Sequence, residues 1–196
     1  MMADEARILI VCTGNICRSP FIERLLQHQL DQRRPGSGQR ILVHSAGTGA
    51  LVGSPMDQRA AAQLVEHGGD PAGFRARDLT PDLIAESALV LTATREHRGK
   101  VAVMYPKALR QVFTLCDFAD LVEDADGLKN RVTPTNPQAW VREVIHEAAA
   151  RRGLKPPLEL AQADIVDPFR RKDEVFVAMA QQIVRSLPAV VRALTG

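Results

Sequence analysis

The stretch VCTGNICRSP, residues 11–20, connects an apolar run to the beginning of a helix. Residues 8–11 are too few for a helix and end at a Thr-Gly turn, which predicts a buried parallel strand. Ser19 followed by Pro20 predicts a helix N-cap with proline in the first turn. The stretch is therefore expected to lead from a first strand, through a short loop, into a first helix.

Strand patterns alternate with helix patterns along the rest of the chain. Further strands are predicted at 41–45, 89–92 and 111–115, and helices at 57–67, from Thr80-Pro81, at 94–103 and at 174–194. This alternation predicts the α/β class: a single three-layer domain whose four-stranded parallel sheet is flanked by helices, with the loop described above after its first strand.

Composition limits the kinds of partner and location. The 196 residues are 45% hydrophobic and 24% charged, which suits one globular domain, and the net charge of +2 is spread along the chain, so no nucleic-acid partner is expected. The N-terminus lacks a secretory signal, and no segment is expected to insert into a membrane. Three cysteines are typical of a reducing compartment, which predicts a cytoplasmic protein.

The composition changes between residues 117 and 164. TPTNP at 133–137 and KPP at 155–157 bracket a polar stretch, 138–152, which is predicted to be helical. Trp140 and Val144 are spaced to share one helical face, and this face is expected to pack against the main body. We interpret residues 1–196 as one domain with a helical insertion at about 117–164.

The loop between the first strand and the first helix is predicted to bind an anion. Its amides from Thr13 to Arg18 can converge with the positive end of the helix dipole, yet no GxxxxGK[ST] or GxGxxG pattern is present. A helix N-terminus and a nearby cation can lower the pKa of a cysteine from about 8.5 to between about 3.5 and 7.5. Cys12 is therefore a candidate nucleophile for phosphate.

The neighbouring residues have complementary roles. Arg18, six positions after Cys12, offers a planar fork for two phosphoryl oxygens. Ser19 can donate its hydroxyl proton to the sulfur, and Asn15 is expected to hold the strained loop backbone. A zinc site is disfavoured because no second Cys/His pair follows, and Cys116 is interpreted as a small buried hydrophobe. No metal is expected.

These residues resemble a known family. CTGNICRSP is similar to the signature loop of the low-molecular-weight protein tyrosine phosphatases, and four further segments resemble family segments in the same order: HSAGTG at 44–49, GSPMDQRA at 53–60, FRARDL at 74–79 and DPF at 167–169. The resemblance implies hydrolysis of phosphotyrosine through a phosphocysteine intermediate, without a cofactor. The predicted insertion departs from the compact family pattern.

The resemblance also implies roles for single residues. Asp167 would be the general acid and base, although an isolated Asp-Pro is otherwise read as a turn, and Ser45 would bond Asn15 and support the loop. Leu51 and Phe169 would form walls for the aromatic ring. The other residues expected to contact substrate lie in the loop: Thr13, Gly14, Asn15, Ile16, Cys17 and Ser19.

Several alternatives stay open at this point. Relatives that act on phosphoarginine carry a threonine where this chain has Ile16, so Ile16 favours phosphotyrosine. Arsenate reduction on the same fold would need a cysteine relay, and a noncatalytic phosphate-binding or redox-sensing module would need only the loop. Cys17 is a candidate for a protective disulfide with Cys12. The expected partner is a phosphotyrosine-containing protein, for example a bacterial tyrosine kinase, to which the basic run 170–172 could attract acidic segments.

Overall fold

Four parallel strands form the sheet of the computed structural model, which describes residues 5–33, 40–123, 125 and 136–196. Their order across the sheet is β2-β1-β3-β4. The strands are β1 (Glu5–Cys12), β2 (Arg40–Gly47), β3 (Leu89–Thr92) and β4 (Val112–Thr114). Because the chain goes from β1 to one neighbour and then to the other, the sheet order reverses beside β1, and ligands of such sheets bind outside the carboxyl ends of the strands at this point.

Helices cover both faces of the sheet. They are α1 (Arg18–Arg33), α2 (Gln58–Glu66), α3 (Pro81–Ala85), α4 (Arg95–Met104), α5 (Leu115–Glu123), α6 (Pro137–Arg151), α7 (Leu160–Ala163) and α8 (Asp173–Thr195), with a 3₁₀ turn at Pro106–Arg110. Ile8 and Ile10 point into the larger core with α1, α5, α6 and α8, whereas Leu9 and Val11 point into a smaller core with α3 and α4. The predicted three-layer α/β fold is confirmed.

Two predicted boundaries are wrong for reasons of local hydrogen bonding. Helix α1 begins at Arg18, so Ser19 lies inside the helix and does not cap it; its hydroxyl bonds the Cys12 sulfur and the Asn15 amide instead. The fourth strand ends at Thr114, and Leu115 already belongs to α5. The Thr114 hydroxyl accepts a hydrogen bond of 3.0 Å from the Asp117 amide and so ends the strand.

The predicted insertion is packed into the domain where the structure describes it. Residues 117–123 belong to α5, which contacts α8, and α6 packs against β1 and β3. Trp140 and Val144 are buried as expected, and the Trp140 indole donates to the Ala193 carbonyl at 3.0 Å. Residues 124 and 126–135, which hold most of TPTNP, lie outside the described residues.

Helix α8 corrects one expectation. By length and composition alone it could cross a membrane, which the sequence analysis did not expect of any segment. In the fold, however, 44% of its most apolar window is buried, and α8 packs against α1, α2 and α5. Its apolar face therefore belongs to the protein core.

Candidate functional site

The loop at residues 13–17 forms a cradle of backbone amides. Its carbonyl groups largely face the neighbouring segments, because those of Thr13, Gly14 and Ile16, like that of Cys12, accept hydrogen bonds of 2.9–3.2 Å. The donors are the backbone amides of Thr48 to Cys12, Gly49 to Thr13, Leu51 to Gly14 and Asp57 to Ile16. Within the described part of the chain, the amides of residues 13–17 donate to no other group. The loop thus presents free donors ahead of the α1 N-terminus, which is the arrangement of an anion site.

Asn15 holds the loop in its strained form. Its φ is 53°, in the left-handed region that asparagine tolerates better than most residues. Its side-chain amide donates to the hydroxyls of Ser19 and Ser45 at 2.8 Å each, and its side-chain oxygen accepts from the Arg77 backbone at 2.9 Å. Gly47 allows this packing, since a Cβ there would lie 2.3 Å from the Thr13 carbonyl oxygen.

The hydrogen bonds of Ser45 and Ser19 determine that the Ser19 hydroxyl proton points toward Cys12, the candidate nucleophile. The Ser45 hydroxyl donates to the Glu23 carboxylate, so Ser45 accepts from Asn15. The Ser19 oxygen likewise accepts from Asn15, which leaves the Ser19 proton for the Cys12 sulfur at 2.9 Å. Cys12 is only 2% exposed and lies at the end of β1. The Ser19 hydroxyl is therefore placed to donate a hydrogen bond to this sulfur.

An ion pair links the loop to a distant segment. The Arg18 guanidinium lies 2.8 Å from the Asp167 carboxylate, and the Arg18 side chain is 5% exposed. Asp167 lies in the loop between α7 and α8, where its other carboxylate oxygen accepts from the Phe169 amide at 3.1 Å. Arg170 adopts a φ of 59°, and its guanidinium lies 5.1 Å from the Phe169 ring centre. This turn places a carboxylate and an aromatic ring beside the cradle.

Most predicted substrate contacts line one cavity of about 150 Å³. Leu51 and Phe169, both more than 40% exposed, form its outer walls. The structure differs at Asn15 and Ser19, which are fully buried behind the loop and do not line the cavity. The lining residues are Cys12, Thr13, Gly14, Ile16, Cys17, Arg18, Gly49, Leu51, Asp167 and Phe169, of which only Gly49 was not predicted.

Sequence reasoning also missed His97, which lies behind the loop. Its two ring nitrogens form hydrogen bonds with the hydroxyls of Thr13 and Thr94, at 2.8 and 2.6 Å. Burial, reinforced by the positive charge of Arg18, lowers the pKa of His97 to about 4, so the ring is neutral at physiological pH. The helix start at Thr94 is readable from the sequence, but the contact with Thr13 joins residues 84 positions apart and leaves no local signal.

The three cysteines have different environments, and all are free thiols. Burial, with the nearby Asp57 carboxylate, raises the pKa of Cys17 to about 12. Burial also raises the pKa of Cys116, to which the Ser186 hydroxyl donates at 3.6 Å. No group of three or more His, Cys, Asp or Glu side chains that could hold a metal ion occurs among the residues that the structure describes.

Comparisons with known proteins agree with this geometry. Residues 7–130 match the family model of the low molecular weight phosphotyrosine protein phosphatases. The chain is 35% identical to the probable low molecular weight protein-tyrosine-phosphatase EpsP of Ralstonia nicotianae over 126 residues, which is 64% of this chain and 81% of the relative.

Two solved structures are also similar. The tyrosine phosphatase AmsI of Erwinia amylovora has a TM-score of 0.66 and 25% identity, and the match covers 95% of this chain and 91% of that one. The YwlE arginine phosphatase of Geobacillus stearothermophilus has a TM-score of 0.66 and 27% identity, with the same coverage of 95% and 91%. The fold is therefore shared by phosphatases with two kinds of substrate.

Proposed function

The chain belongs to the low molecular weight phosphotyrosine protein phosphatase family, and on this premise we propose that it hydrolyses phosphotyrosine in proteins, with Cys12 as nucleophile. One observation carries the proposal. The Cys12 sulfur lies in a cavity with the unoccupied amides of residues 13–17, and the Arg18–Asp167 ion pair lies beside it.

In the first step, the Cys12 thiolate attacks phosphorus and the bond between phosphorus and the tyrosyl oxygen breaks. The loop amides and Arg18 bind the other phosphoryl oxygens, where charge must be stabilised. Protonated Asp167 gives its proton to the leaving phenolate, whose conjugate acid has a pKa of about 10. The products are the free phenol and phosphocysteine.

In the second step, Asp167 is ionised and takes a proton from a water molecule. The water oxygen attacks phosphorus, the bond between phosphorus and sulfur breaks, and inorganic phosphate leaves. The sulfur departs as a thiolate, and the Ser19 hydroxyl at 2.9 Å stabilises it. Asp167 ends the cycle protonated, ready for the next substrate.

The cavity walls support phosphotyrosine as the substrate. Ile16, Leu51 and Phe169 surround the opening with apolar groups that suit an aromatic ring. Phosphoarginine is the second candidate, because the YwlE structure is as similar in fold as the AmsI structure. Arsenate reduction is less well supported: the third thiol, Cys116, is buried in contact with Ser186 and does not line the cavity.

We extend the proposal to partner, location and domain. The physiological partner is a phosphotyrosine protein, with a tyrosine kinase as one candidate, and a free reactive Cys12 requires a reducing compartment such as the cytoplasm. Cys17 is the proposed redox guard of Cys12. Residues 1–196 are proposed to be one phosphatase domain with a helical insertion at about 117–164.

A direct assay tests the proposal. The reduced protein is offered matched peptides that carry phosphotyrosine, phosphoserine or phosphoarginine, and phosphate release is measured. We expect phosphotyrosine to give the highest kcat/KM. A higher value for phosphoarginine would assign the second candidate, and no release from any peptide or from an aryl phosphate would leave a noncatalytic phosphate-binding or redox-sensing module.

A further inference from the structure

A second cavity, of about 310 Å³, lies between α4, α5 and the segment that follows α6. Four cationic and two anionic side chains line it: Arg95, Arg98, Arg152, Lys155, Asp117 and Asp120. The remaining lining is mostly apolar and includes Leu121 and Leu158. This pocket, which we call the basic pocket, takes no part in the mechanism described above.

The basic pocket has more positive charge than its own carboxylates neutralise. Arg95 pairs with Asp117 at 3.1 Å, and Lys155 pairs with Asp120 at 2.8 Å. Both carboxylates are thus engaged, while Arg98 has no side-chain partner among the described residues. Of the four cations that line the pocket, two are paired with these carboxylates and two are not, so an anionic ligand would find uncompensated positive charge.

Arg152 is the second uncompensated cation. It is half-buried, donates to the Val112 carbonyl at 2.8 Å and lies 3.8 Å from the Phe113 ring centre. It forms no ion pair within the described part of the chain. Burial, together with the positive charge of Arg98, lowers the pKa of Arg152 to about 10. The Asp117 carboxylate, which is paired with Arg95, opposes this shift only in part. A half-buried cation without an ion-pair partner of its own is costly, and an anion between the two guanidinium groups would offset that cost.

The basic pocket lies a short distance from the active site. The Arg95 amide donates to the Asp164 carboxylate at 2.8 Å, and Asp164 precedes Asp167 by three residues. Three extended residues span at most about 10 Å, so the backbone of Arg95 and the Arg18–Asp167 pair both contact one short segment, residues 164–167. The rim of the pocket is open, because Pro156 and Pro157 are exposed and Leu154 beside them is 82% exposed.

We propose that the basic pocket binds an acidic side chain of the protein whose phosphotyrosine occupies the active site, three to five residues from that phosphotyrosine. This inference rests on the proposed function and narrows its substrate class. The charge surplus selects a carboxylate or phosphoryl group, and the open apolar rim suits the flanking peptide better than a small ion. The proposed spacing follows from the short segment, residues 164–167, that contacts both Arg95 and Arg18.

The test uses pairs of phosphotyrosine peptides that carry Glu or Gln at the third, fourth or fifth residue on either side. We expect wild type to prefer one Glu peptide by about fivefold in kcat/KM, the upper range for a partly exposed charge pair. Arg98→Gln should remove the preference and leave hydrolysis of a small aryl phosphate unchanged. Lys100→Gln, on the same helix but paired with Glu96 at 2.7 Å, should keep it.

Arg152→Gln should also remove the preference for the Glu peptide. If Arg152→Gln unfolds, Arg152→Lys, which keeps the positive charge, separates the effect of charge from that of packing. An unchanged preference in Arg98→Gln overturns the proposal. So does a preference lost only in an Arg170→Gln/Arg171→Gln variant, which would assign recognition to the exposed basic run beside Asp167. Inhibition by inorganic phosphate that depends on Arg98, without any peptide preference, would make the pocket a small-anion site instead.

A second measurement, the binding of the same peptides monitored by fluorescence anisotropy, distinguishes failure of the proposed function from failure of the basic-pocket proposal. If wild type fails to hydrolyse aryl phosphate, the proposed function fails on that result alone. A Glu peptide that still binds more tightly than its Gln partner, in wild type but not in Arg98→Gln, supports the pocket. Equal binding of both peptides by wild type overturns it.

Discussion

The Asp167 carboxylate lies 2.8 Å from the Arg18 guanidinium, and this ion pair joins the proposed general acid to the proposed phosphate-binding group. The Arg18 side chain is 5% exposed, whereas the Asp167 side chain is 52% exposed. A phosphoryl dianion that enters the cavity must therefore compete with Asp167 for the same guanidinium. The ion pair makes the acid a competitor of the ligand as well as a reactant.

Asp167→Asn should consequently have opposite effects on binding and turnover. Without the competing carboxylate, the inhibition constant of inorganic phosphate should fall several-fold. Without the proton donor, kcat should fall by about 10² to 10⁴ for aryl phosphates with poor leaving groups, and much less for activated ones. Steady-state kinetics on a series of aryl phosphates with phosphate as inhibitor measures both effects.

The control for Asp167→Asn is Asp173→Asn. Asp173 is an exposed aspartate at the start of α8 that lies 3.5 Å from Arg59, outside the cavity lining. We expect Asp173→Asn to change neither the inhibition constant of phosphate nor kcat. Equal losses of kcat for poor and activated leaving groups would take the acid role away from Asp167.

Cys12→Ser should abolish hydrolysis while phosphate binding persists. The loop amides and Arg18 stay in place, so the anion site remains, but a serine hydroxyl is not ionised at neutral pH and cannot replace the thiolate. Isothermal titration with phosphate and an aryl phosphate assay test the two halves of this statement. Cys116→Ser, which changes a thiol outside the cavity, should retain activity; residual turnover by Cys12→Ser would contradict the role of Cys12.

The positions of the strands and the helix cap at Thr80 were predictable parts of the fold. The third strand was predicted at 89–92 and is found there, and the helix predicted at 94–103 is found as α4, with Thr94 as its N-cap. The boundaries at Ser19 and Leu115 were mispredicted because local hydrogen bonds of the Ser19 and Thr114 hydroxyls override simple propensity. Such side-chain bonds are not visible in a hydrophobic pattern.

Some residues of the candidate site could likewise be predicted from the sequence, and others could not. Cys12 and Arg18 lie in one short loop, so their spacing alone placed them together. Asp167 was identified only through the family resemblance, since its contact with Arg18 joins distant parts of the chain. His97 and Glu23 were missed, because each acts through another residue and packing alone creates the contact.

Substitutions at Asn15 should separate backbone strain from hydrogen bonding. Asn15→Gly keeps the φ of 53° accessible but loses three hydrogen bonds, whereas Asn15→Ala loses the bonds and also opposes that φ. We expect kcat/KM for an aryl phosphate to fall about tenfold in Asn15→Gly and further in Asn15→Ala, with a parallel order in the melting temperature. Equal values for the two variants would exclude strain as a factor.

Alkylation should discriminate among the cysteines. Because burial raises the pKa of Cys17 to about 12, its thiolate is a fraction of about 10⁻⁵ at pH 7, and only thiolates react with iodoacetamide. Mass spectrometry should therefore find Cys12 modified well before Cys17 and Cys116, and phosphate should protect Cys12. Labelling of Cys17 as fast as Cys12 would contradict the protonated state assigned to it.

One buried and one half-buried histidine should make the protein less stable in mild acid. Burial lowers the pKa of both His44 and His97 to about 4, against an ordinary value of about 6.5. The unfolded chain therefore binds more protons between these values, so the free energy of unfolding falls as the pH drops from about 6.5 to about 4. Urea denaturation at pH 7, 5.5 and 4.5 should show a smaller fall in His97→Asn than in wild type. His146→Asn, at an exposed position, should follow wild type, and parallel curves for all three proteins would contradict the assignment.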